Sequence, residues 1–381
     1  MNDNDHKGLL PAGLGDMLPP EAAQEARTIE SLMERLGAHG YERVKPPLIE
    51  FEESLLAGAG QGMASQTFRL MDPVSQRMMG LRTDMTLQVA RIAGSRLKDV
   101  ARPLRLSYAG QVLRVKGTQL RPERQFAQVG AELIGSDSAH ADAEAVLLSA
   151  GALQALGIEG LSVDLNLPTL VNAAASGAGV GEDRLGGLHA ALERKDESAL
   201  ANLLGEGSAA LKLFVSLLRC AGPADQAIAA IAALKLQGAA AQEAQRLADV
   251  VALLRAASPD LRLTVDPVEY RGFEYQTGVS FTLFSLGVRG ELGRGGRYLT
   301  GDGEAATGFT LYLDTIMQAI KPLKAMPRLL LPLGAPWSDH RQWQGKGYVT
   351  VAALAGGEPR LQARQMNCSH ALIDGKPVAI A

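Results

Sequence analysis

Hydrophobic and polar positions alternate most regularly across residues 104–135. Leu104, Leu106 and Tyr108 interleave with Arg105 and Ser107, which is the period of a half-buried strand. A polar, basic stretch, VKGTQLRPER, comes next, with Gly117 and Pro122 set against any helix. The alternation then resumes. Val129, Ala131 and Leu133 face one way, and Gln128, Gly130 and Glu132 face the other. The pattern predicts a β-hairpin with an amide and a carboxylate flanking a glycine on its polar face. That face is either a solvated sheet surface or the floor of a polar ligand site, where a ligand could approach the backbone at Gly130. Arg114, at the mouth of the first strand, would add a positive charge beside that floor.

The same reasoning carries along the chain. Pro19 and Pro20 open a helix in which Ala22, Ala26, Ile29, Met33 and Leu36 recur at helical spacing, ending near Gly37 or Gly40. Pro46 and Pro47 force residues 41–50 to be extended. Residues 68–81 read as a hairpin around Asp72-Pro73. Asp84 is placed to cap a helix from Met85 toward Gly94. Residues 137–156 form an apolar helix, and LSVDLNL a strand after it. Between 168 and 259 alanine and leucine dominate and strand-formers thin out, which predicts a small all-helical insertion whose mixed charges solvate helix faces.

Strand signals return at residues 261–265 and 279–283, separated by VEYRGFEYQTG. The glycine cluster GELGRGG brings backbones together around a ligand or another strand. TGFTLYLDTIMQAI follows it as strand or helix. Residues 321–336 read as a proline-rich linker to a strand–helix–strand appendix, with Trp337 and Trp343 packing at its entry. The expected organisation is an α+β core over residues 1–167 and 260–322, a helical insertion over 168–259, and a small α/β domain over 323–381.

Composition narrows the function classes. The 381 residues carry 38 basic and 41 acidic side chains, a net charge of −3. No overall basic footprint for nucleic acid exists, so none is expected as a partner. Cys220 and Cys368 are far apart, and the six histidines show no ligand spacing, so neither a disulfide framework nor a metal is expected. No phosphate loop occurs and no cofactor is expected. The N-terminus is polar and no apolar run is long enough to span a bilayer, which predicts a cytoplasmic protein without a membrane partner.

Several segments together carry a resemblance. GLGDMLPPEA, KPPLIEFEESLL, LRTDMTLQVARI, the central hairpin, RGFEYQTG and GGRY resemble the catalytic core of class II histidyl-tRNA synthetases. They resemble more closely its paralogues, the regulatory subunits of short-form ATP phosphoribosyltransferase. The resemblance implies a class II synthetase-like antiparallel sheet flanked by helices. It also implies a histidine pocket: Asp84 and Thr86 at the ammonium group, then Arg114, Gln128 and Glu132 from the second motif, and Arg271 and Tyr275 from the RGFEYQTG loop. Gly295 to Tyr298 would form its glycine-rich wall, with Arg297 and Tyr298 shaping it. The chemistry agrees, because a free histidine needs an anion for its ammonium group, a cation for its carboxylate and hydrogen-bond partners for its imidazole. Partners implied are the short-form catalytic chain, L-histidine as effector, and a second copy meeting the first motif at Pro47, within a hetero-octamer.

Departures from the synthetase pattern separate enzyme from regulator. The third synthetase motif ends Gly-x-Glu-Arg, whereas here Tyr312, Asp314 and Thr315 stand at those positions. In the second motif Lys116 replaces an acid and Pro122 a basic residue that meets phosphate. Adenylation rests on electrostatic stabilisation of phosphoryl charge, so losing these cations is severe. Gln276 and Leu299 also depart from the pattern, and the C-terminal appendix is short for an anticodon-binding domain. Arg121 and Arg124 are expected to face solvent. The resulting expectation is a non-catalytic regulatory subunit required for activity of the short catalytic chain and for histidine feedback. A divergent histidyl-tRNA synthetase and a stand-alone histidine sensor stay open as alternatives.

Overall fold

The strands Leu104–Leu113 and Gln125–Ile134 pair antiparallel in one unbroken register, from Leu104 opposite Ile134 to Leu113 opposite Gln125. This is the predicted hairpin, seen in a computed structural model that describes residues 8–118, 121–270 and 276–380. Its alternation sorts two cores. Leu106, Tyr108, Val112, Phe126 and Ile134 pack on one face, and Val129 and Ala131 on the other. The face carrying Gln128 and Glu132 is not solvated. Both side chains are buried.

The chain divides into two compact units, Met1–Lys321 and Pro322–Ala381. In the first, nine strands form one sheet among the described residues. Their order is Glu42–Arg43, Leu104–Leu113, Gln125–Ile134, Ala305–Tyr312, Gly293–Leu299, Gln276–Ser285, Leu161–Asn166, Arg262–Asp266 and Gly222–Pro223. The middle of the sheet is antiparallel, while Glu42–Arg43 pairs parallel to Leu104–Leu113 and Arg262–Asp266 parallel to Leu161–Asn166. The architecture is the expected α+β class. Helices Glu21–Ala38, Ala139–Ala155, Pro168–Gly177 and Gly238–Ala257 contribute to the core on one face, and helix Thr86–Ser95 to the core on the other.

Local chemistry accounts for most element boundaries. Ser138, Asp196 and Ser208 each accept a backbone N–H at a helix start, the capping role short polar side chains fill. Helix Glu21–Ala38 buries Gln24, Thr28, Leu32, Met33 and Leu36, so Ala22 and Ala26 are exposed rather than inward. Alanine offers little apolar area, and the Gln24 amide instead donates to the Lys321 carbonyl at 3.2 Å. The hairpin predicted over 68–81 is present, Met71 facing Met78, with the Asp72 carboxylate accepting from Val74 and Ser75. The segment read as all-helical carries six helices and also contributes the short strand Gly222–Pro223 to the sheet edge.

The glycine cluster is strand rather than turn. Gly293–Leu299 lies between two antiparallel neighbours. A Cβ on Gly295 would overlap the Gly308 carbonyl and the Phe281 ring. Close strand approach, not left-handed backbone, is what Gly295 supplies. TGFTLYLDTIMQAI resolves into both alternatives, strand Ala305–Tyr312 and then helix Leu313–Ala319.

In the second unit, Val349–Ala352, Arg328–Leu331, His370–Ile373 and Lys376–Ala379 form a four-stranded sheet in that order. Arg328–Leu331 is an interior strand, which corrects the reading of residues 321–336 as linker throughout. Its three leucines are buried, and prolines flank the run without interrupting it. Trp343 packs edge-on against Tyr348, but Trp337 is exposed and does not share that role.

Two glycine substitutions separate propensity from packing. Gly37 lies in a helix with open space where a Cβ would go, so Gly37→Ala raises stability by about 0.5 kcal/mol. Gly295→Ala forces two strands apart and lowers stability by about 1–3 kcal/mol. Urea unfolding of the full chain measures both.

Candidate ligand-binding site

Strands Gln125–Ile134, Ala305–Tyr312 and Gly293–Leu299 place Glu132, Gly308 and Gly296 side by side in register. Above them the N-terminal end of helix Thr86–Ser95 closes a cavity of about 160 Å³ whose lining includes Asp84, Thr86, Arg114, Glu132, Gln276 and Tyr298. Glycine makes the room. A Cβ on Gly308 would overlap Glu132 Oε2, and one on Gly130 would overlap the Tyr108 hydroxyl. The space over Gly130 is therefore filled by Tyr108, not open to a ligand as the hairpin pattern suggested.

Glu132 is the centre of the site. Its Oε1 accepts from the Tyr108 hydroxyl at 3.0 Å and its Oε2 from the Tyr298 hydroxyl at 2.9 Å. A phenol has one proton to give. With that proton on Glu132, the Thr86 and Thr310 hydroxyls, 3.1 and 2.9 Å away, donate to the Tyr108 oxygen. Burial pushes the Glu132 carboxyl up to about 8, against the pull of the Tyr298, Tyr108 and Thr86 hydroxyls, with the Asp84 charge adding to the rise. Burial and the same two acids also push the Tyr108 hydroxyl well above its ordinary value.

Asp84 is positioned from two sides. Its Oδ1 accepts from the Thr86 N–H at 2.9 Å, and its Oδ2 accepts from the Gln128 amide at 3.0 Å. The helix starts at Thr86 with Met85 at the cap position, one residue later than predicted. The carboxylate still sits at the positive end of the helix dipole. Gln128 lies behind Asp84, fully buried, and among the described residues its Oε1 has no partner. Arg114 donates to the Thr83 carbonyl at 3.4 Å and stacks 5.1 Å from the Phe126 ring. Among the described residues it has no ion-pair partner. The cavity thus offers two acids, Asp84 and Glu132, two arginines, Arg114 and the Glu291-paired Arg294, and several hydroxyls, a set suited to a small zwitterion.

Of the residues expected at the site, Asp84, Thr86, Arg114 and Glu132 line the cavity and Gln128 supports it. Arg271 and Tyr275 lie outside the described residues. The pattern reading missed Tyr108 and Thr310, although Tyr108 falls opposite Gly130 in the hairpin register, a bulky ring facing an empty position. Arg297 does not form the wall as expected. It points to the opposite sheet face and pairs with Asp142 at 2.8 Å.

The arginines expected in solvent are engaged. Arg121 is largely buried, with Nε donating to Asp314 Oδ2 at 2.6 Å, Nη2 to Thr315 Oγ1 at 3.2 Å, and its guanidinium 3.9 Å from the Tyr312 ring. Burial raises the Asp314 carboxyl while Arg121 pulls it down. Arg124 donates to the carbonyls of Arg114 and Ala12. A carboxylate now takes the charge of Arg121, on the side where the synthetase pattern would meet phosphate. Among the described residues no group of three His, Cys, Asp or Glu side chains could hold a metal ion, and no helix is long and apolar enough to cross a membrane.

Known proteins resemble this chain in sequence and fold. Residues 13–316 match the Histidyl-tRNA synthetase family. An ATP phosphoribosyltransferase regulatory subunit of Rhodospirillum centenum is 55% identical over 370 residues, 97% of this chain and 95% of the relative. One of Paramagnetospirillum magneticum is 55% identical over 373 residues, 98% of each. Among solved structures, an ATP phosphoribosyltransferase regulatory subunit/histidyl-tRNA synthetase from Bacillus halodurans superposes with a TM-score of 0.81 at 23% identity, over 94% of this chain and 96% of that one. Histidyl-tRNA synthetase from Nostoc sp. PCC 7120 gives 0.80 at 17%, over 98% and 97%. Both likenesses bear on the fold, which is that of the class II synthetases.

The buried carboxyl sets a pH dependence. Its folded value near 8 lies above the ordinary 4.5, so the stability it contributes is complete below about 4.5 and lost as pH rises through about 8. Urea unfolding from about pH 5 to about pH 8 should show wild type losing stability relative to Glu132→Gln, by at most about 1.4 kcal/mol per pH unit. Parallel curves for the two proteins would remove the protonated carboxyl from the account.

Proposed function

The chain belongs to the histidyl-tRNA synthetase family, within its branch of ATP phosphoribosyltransferase regulatory subunits, and from that premise we propose that it binds L-histidine at Glu132 and relays it to a partner enzyme. The partner is a short-form ATP phosphoribosyltransferase catalytic chain, which this chain activates in the cytoplasm and inhibits when histidine is bound. It performs no catalysis itself and needs neither metal nor cofactor. The relatives' name supports the regulatory role and the partner.

The observation that carries the histidine reading is the asymmetry between the two halves of the site. On the amino-acid side the polar groups converge on one cavity: Asp84 for an ammonium group, Arg114 for a carboxylate, Glu132 for an imidazole N–H. Arg271 and Tyr275 complete the set in this reading. On the phosphate side Thr315 stands where the synthetases use arginine, and Asp314 neutralises Arg121. Phosphoryl transfer depends on uncompensated cations placed in advance. Recognition of an amino acid without its activation follows.

The first-motif segment is rigid, as self-association would require. Arg82 donates to the Pro46 carbonyl at 3.0 Å, and Gln88 to the Pro47 carbonyl at 2.9 Å. We assign the meeting of two copies to this segment and treat residues 168–259 as an insertion into the core.

Effector action needs differential affinity, because a ligand that binds both assembly states equally shifts neither. Phosphoribosyl-ATP formation by the catalytic chain should therefore rise when this chain is added and fall again with histidine. Unchanged activity in both cases would overturn the partner assignment. Glu132→Ala should weaken histidine binding by roughly tenfold or more, measured calorimetrically on the free chain with its circular dichroism unchanged. Undiminished affinity would move the histidine site elsewhere.

A further inference from the structure

Arg297 and Tyr298 are neighbours on strand Gly293–Leu299 and point to opposite faces of the sheet, as strand geometry dictates. Tyr298 reaches Glu132 in the cavity. Arg297 reaches the far side, where it is buried and holds Asp142 of helix Ala139–Ala155 through Nη2 at 2.8 Å and Nε at 3.0 Å. It also donates to the carbonyls of Ser136 and Ser138 at 3.0 and 3.1 Å. Those residues continue directly from strand Gln125–Ile134, which carries Glu132. One guanidinium therefore ties the strand that supplies the donor Tyr298 to the end of the strand that supplies the acceptor Glu132.

A second arginine enters the same cluster from elsewhere. Arg246, on helix Gly238–Ala257, donates to Asp142 Oδ2 from Nη2 at 3.0 Å and from Nε at 3.1 Å, and pairs with Asp137 at 3.1 Å. Asp137 also pairs with Arg297 at 3.2 Å. Two arginines and two aspartates close a ring, and Arg246 is its single member from the 168–259 segment. Asp142 Oδ1 is held by Arg297, whereas Oδ2 accepts from Arg246 and also from Arg297 Nε at 3.3 Å. A shift of helix Gly238–Ala257 therefore redistributes Asp142 between its two partners.

We propose that Arg246 is a positioning residue for the Glu132 cavity, coupling the placement of helix Gly238–Ala257 to ligand affinity through Asp142, Arg297 and Tyr298. The proposal rests on the histidine reading for its ligand. It gives that site a mechanical input: whatever moves the helix moves the hydroxyl that orders Glu132, and by linkage the bound ligand resists that motion. Arg246 never touches the cavity. Its side chain is 23% exposed, and its removal leaves the buried Arg297–Asp142 pair intact. Removing Arg297 instead would leave buried Asp142 Oδ1 without its donor and threaten the fold.

The test uses the full chain and calorimetric titration with L-histidine. Arg246→Gln should raise the Kd by about 3- to 10-fold, the range expected of coupling through packed networks, and Arg246→Lys should recover part of the loss. In a Tyr298→Phe background the same Arg246→Gln change should alter the Kd by less than about twofold, because coupled residues are non-additive. An unchanged Kd in folded Arg246→Gln, or full additivity with Tyr298→Phe, would overturn the coupling. Should wild type bind no histidine, the ligand reading fails separately, and a ligand-free measurement decides the coupling. Glu132 is faced by Asp84, Tyr108 and Tyr298, with Arg114, Arg294 and Tyr312 lining the same cavity. Carbon-13 NMR of its carboxyl should then show the titration of Arg246→Gln displaced to higher pH, since the Tyr298 bond holds it down. An undisplaced titration would overturn the proposal.

Discussion

A carboxyl group buried on the floor of a cavity constrains everything around it. Glu132 is held by two phenols arriving from different strands, and an acid so buried is tolerable only when its acceptors are filled. Each phenol in turn needs a strand at the right register and an empty position to lie over. Gly130 provides that position for Tyr108, and Gly308 leaves room for the Glu132 carboxyl itself. The sheet order, the glycines and the helix start at Thr86 can be read as the conditions under which one acid stays buried and still faces a cavity.

Electrostatics divides the region beside it. In the cavity Arg114 has no ion-pair partner among the described residues, and Asp84 is held ready by a backbone N–H and an amide. Beyond Arg114, Arg121 is covered by Asp314, Thr315 and the Tyr312 ring. A cation already satisfied by a carboxylate at 2.6 Å has little left to offer a phosphate. The class II synthetase fold is retained, while the Arg121 charge beside the cavity is satisfied internally by Asp314.

The salt-bridge ring on the other side of the sheet, buried at Arg297–Asp142 and exposed at Asp137, has a different character. Buried ion pairs add little stability compared with apolar packing, yet breaking one is costly. Such a ring therefore acts as a constraint on geometry. Here it joins three elements, the strand bearing Tyr298, the turn after Glu132 and helix Gly238–Ala257, and each lies in the same compact unit.

The linear sequence determined the elements whose pattern is local. The central hairpin, its register and its two faces follow from strict alternation, the Asp72 turn from its turn chemistry, and the family from motifs read together. It also singled out Asp84, Thr86, Arg114, Gln128 and Glu132, which the fold gathers around one cavity, because those residues lie within short, recognisable segments. Tertiary structure decided the rest, for reasons of distance along the chain. Alternation cannot say whether a polar strand face meets water or another layer, so the burial of Glu132 and the filling of Gly130 by Tyr108 were invisible. The partners of Arg121 and Arg297 lie 193 and 155 residues away, and no local rule pairs charges across such separations. The strand Arg328–Leu331 went unread because four residues between prolines carry no period, and only burial against neighbouring strands makes them a sheet.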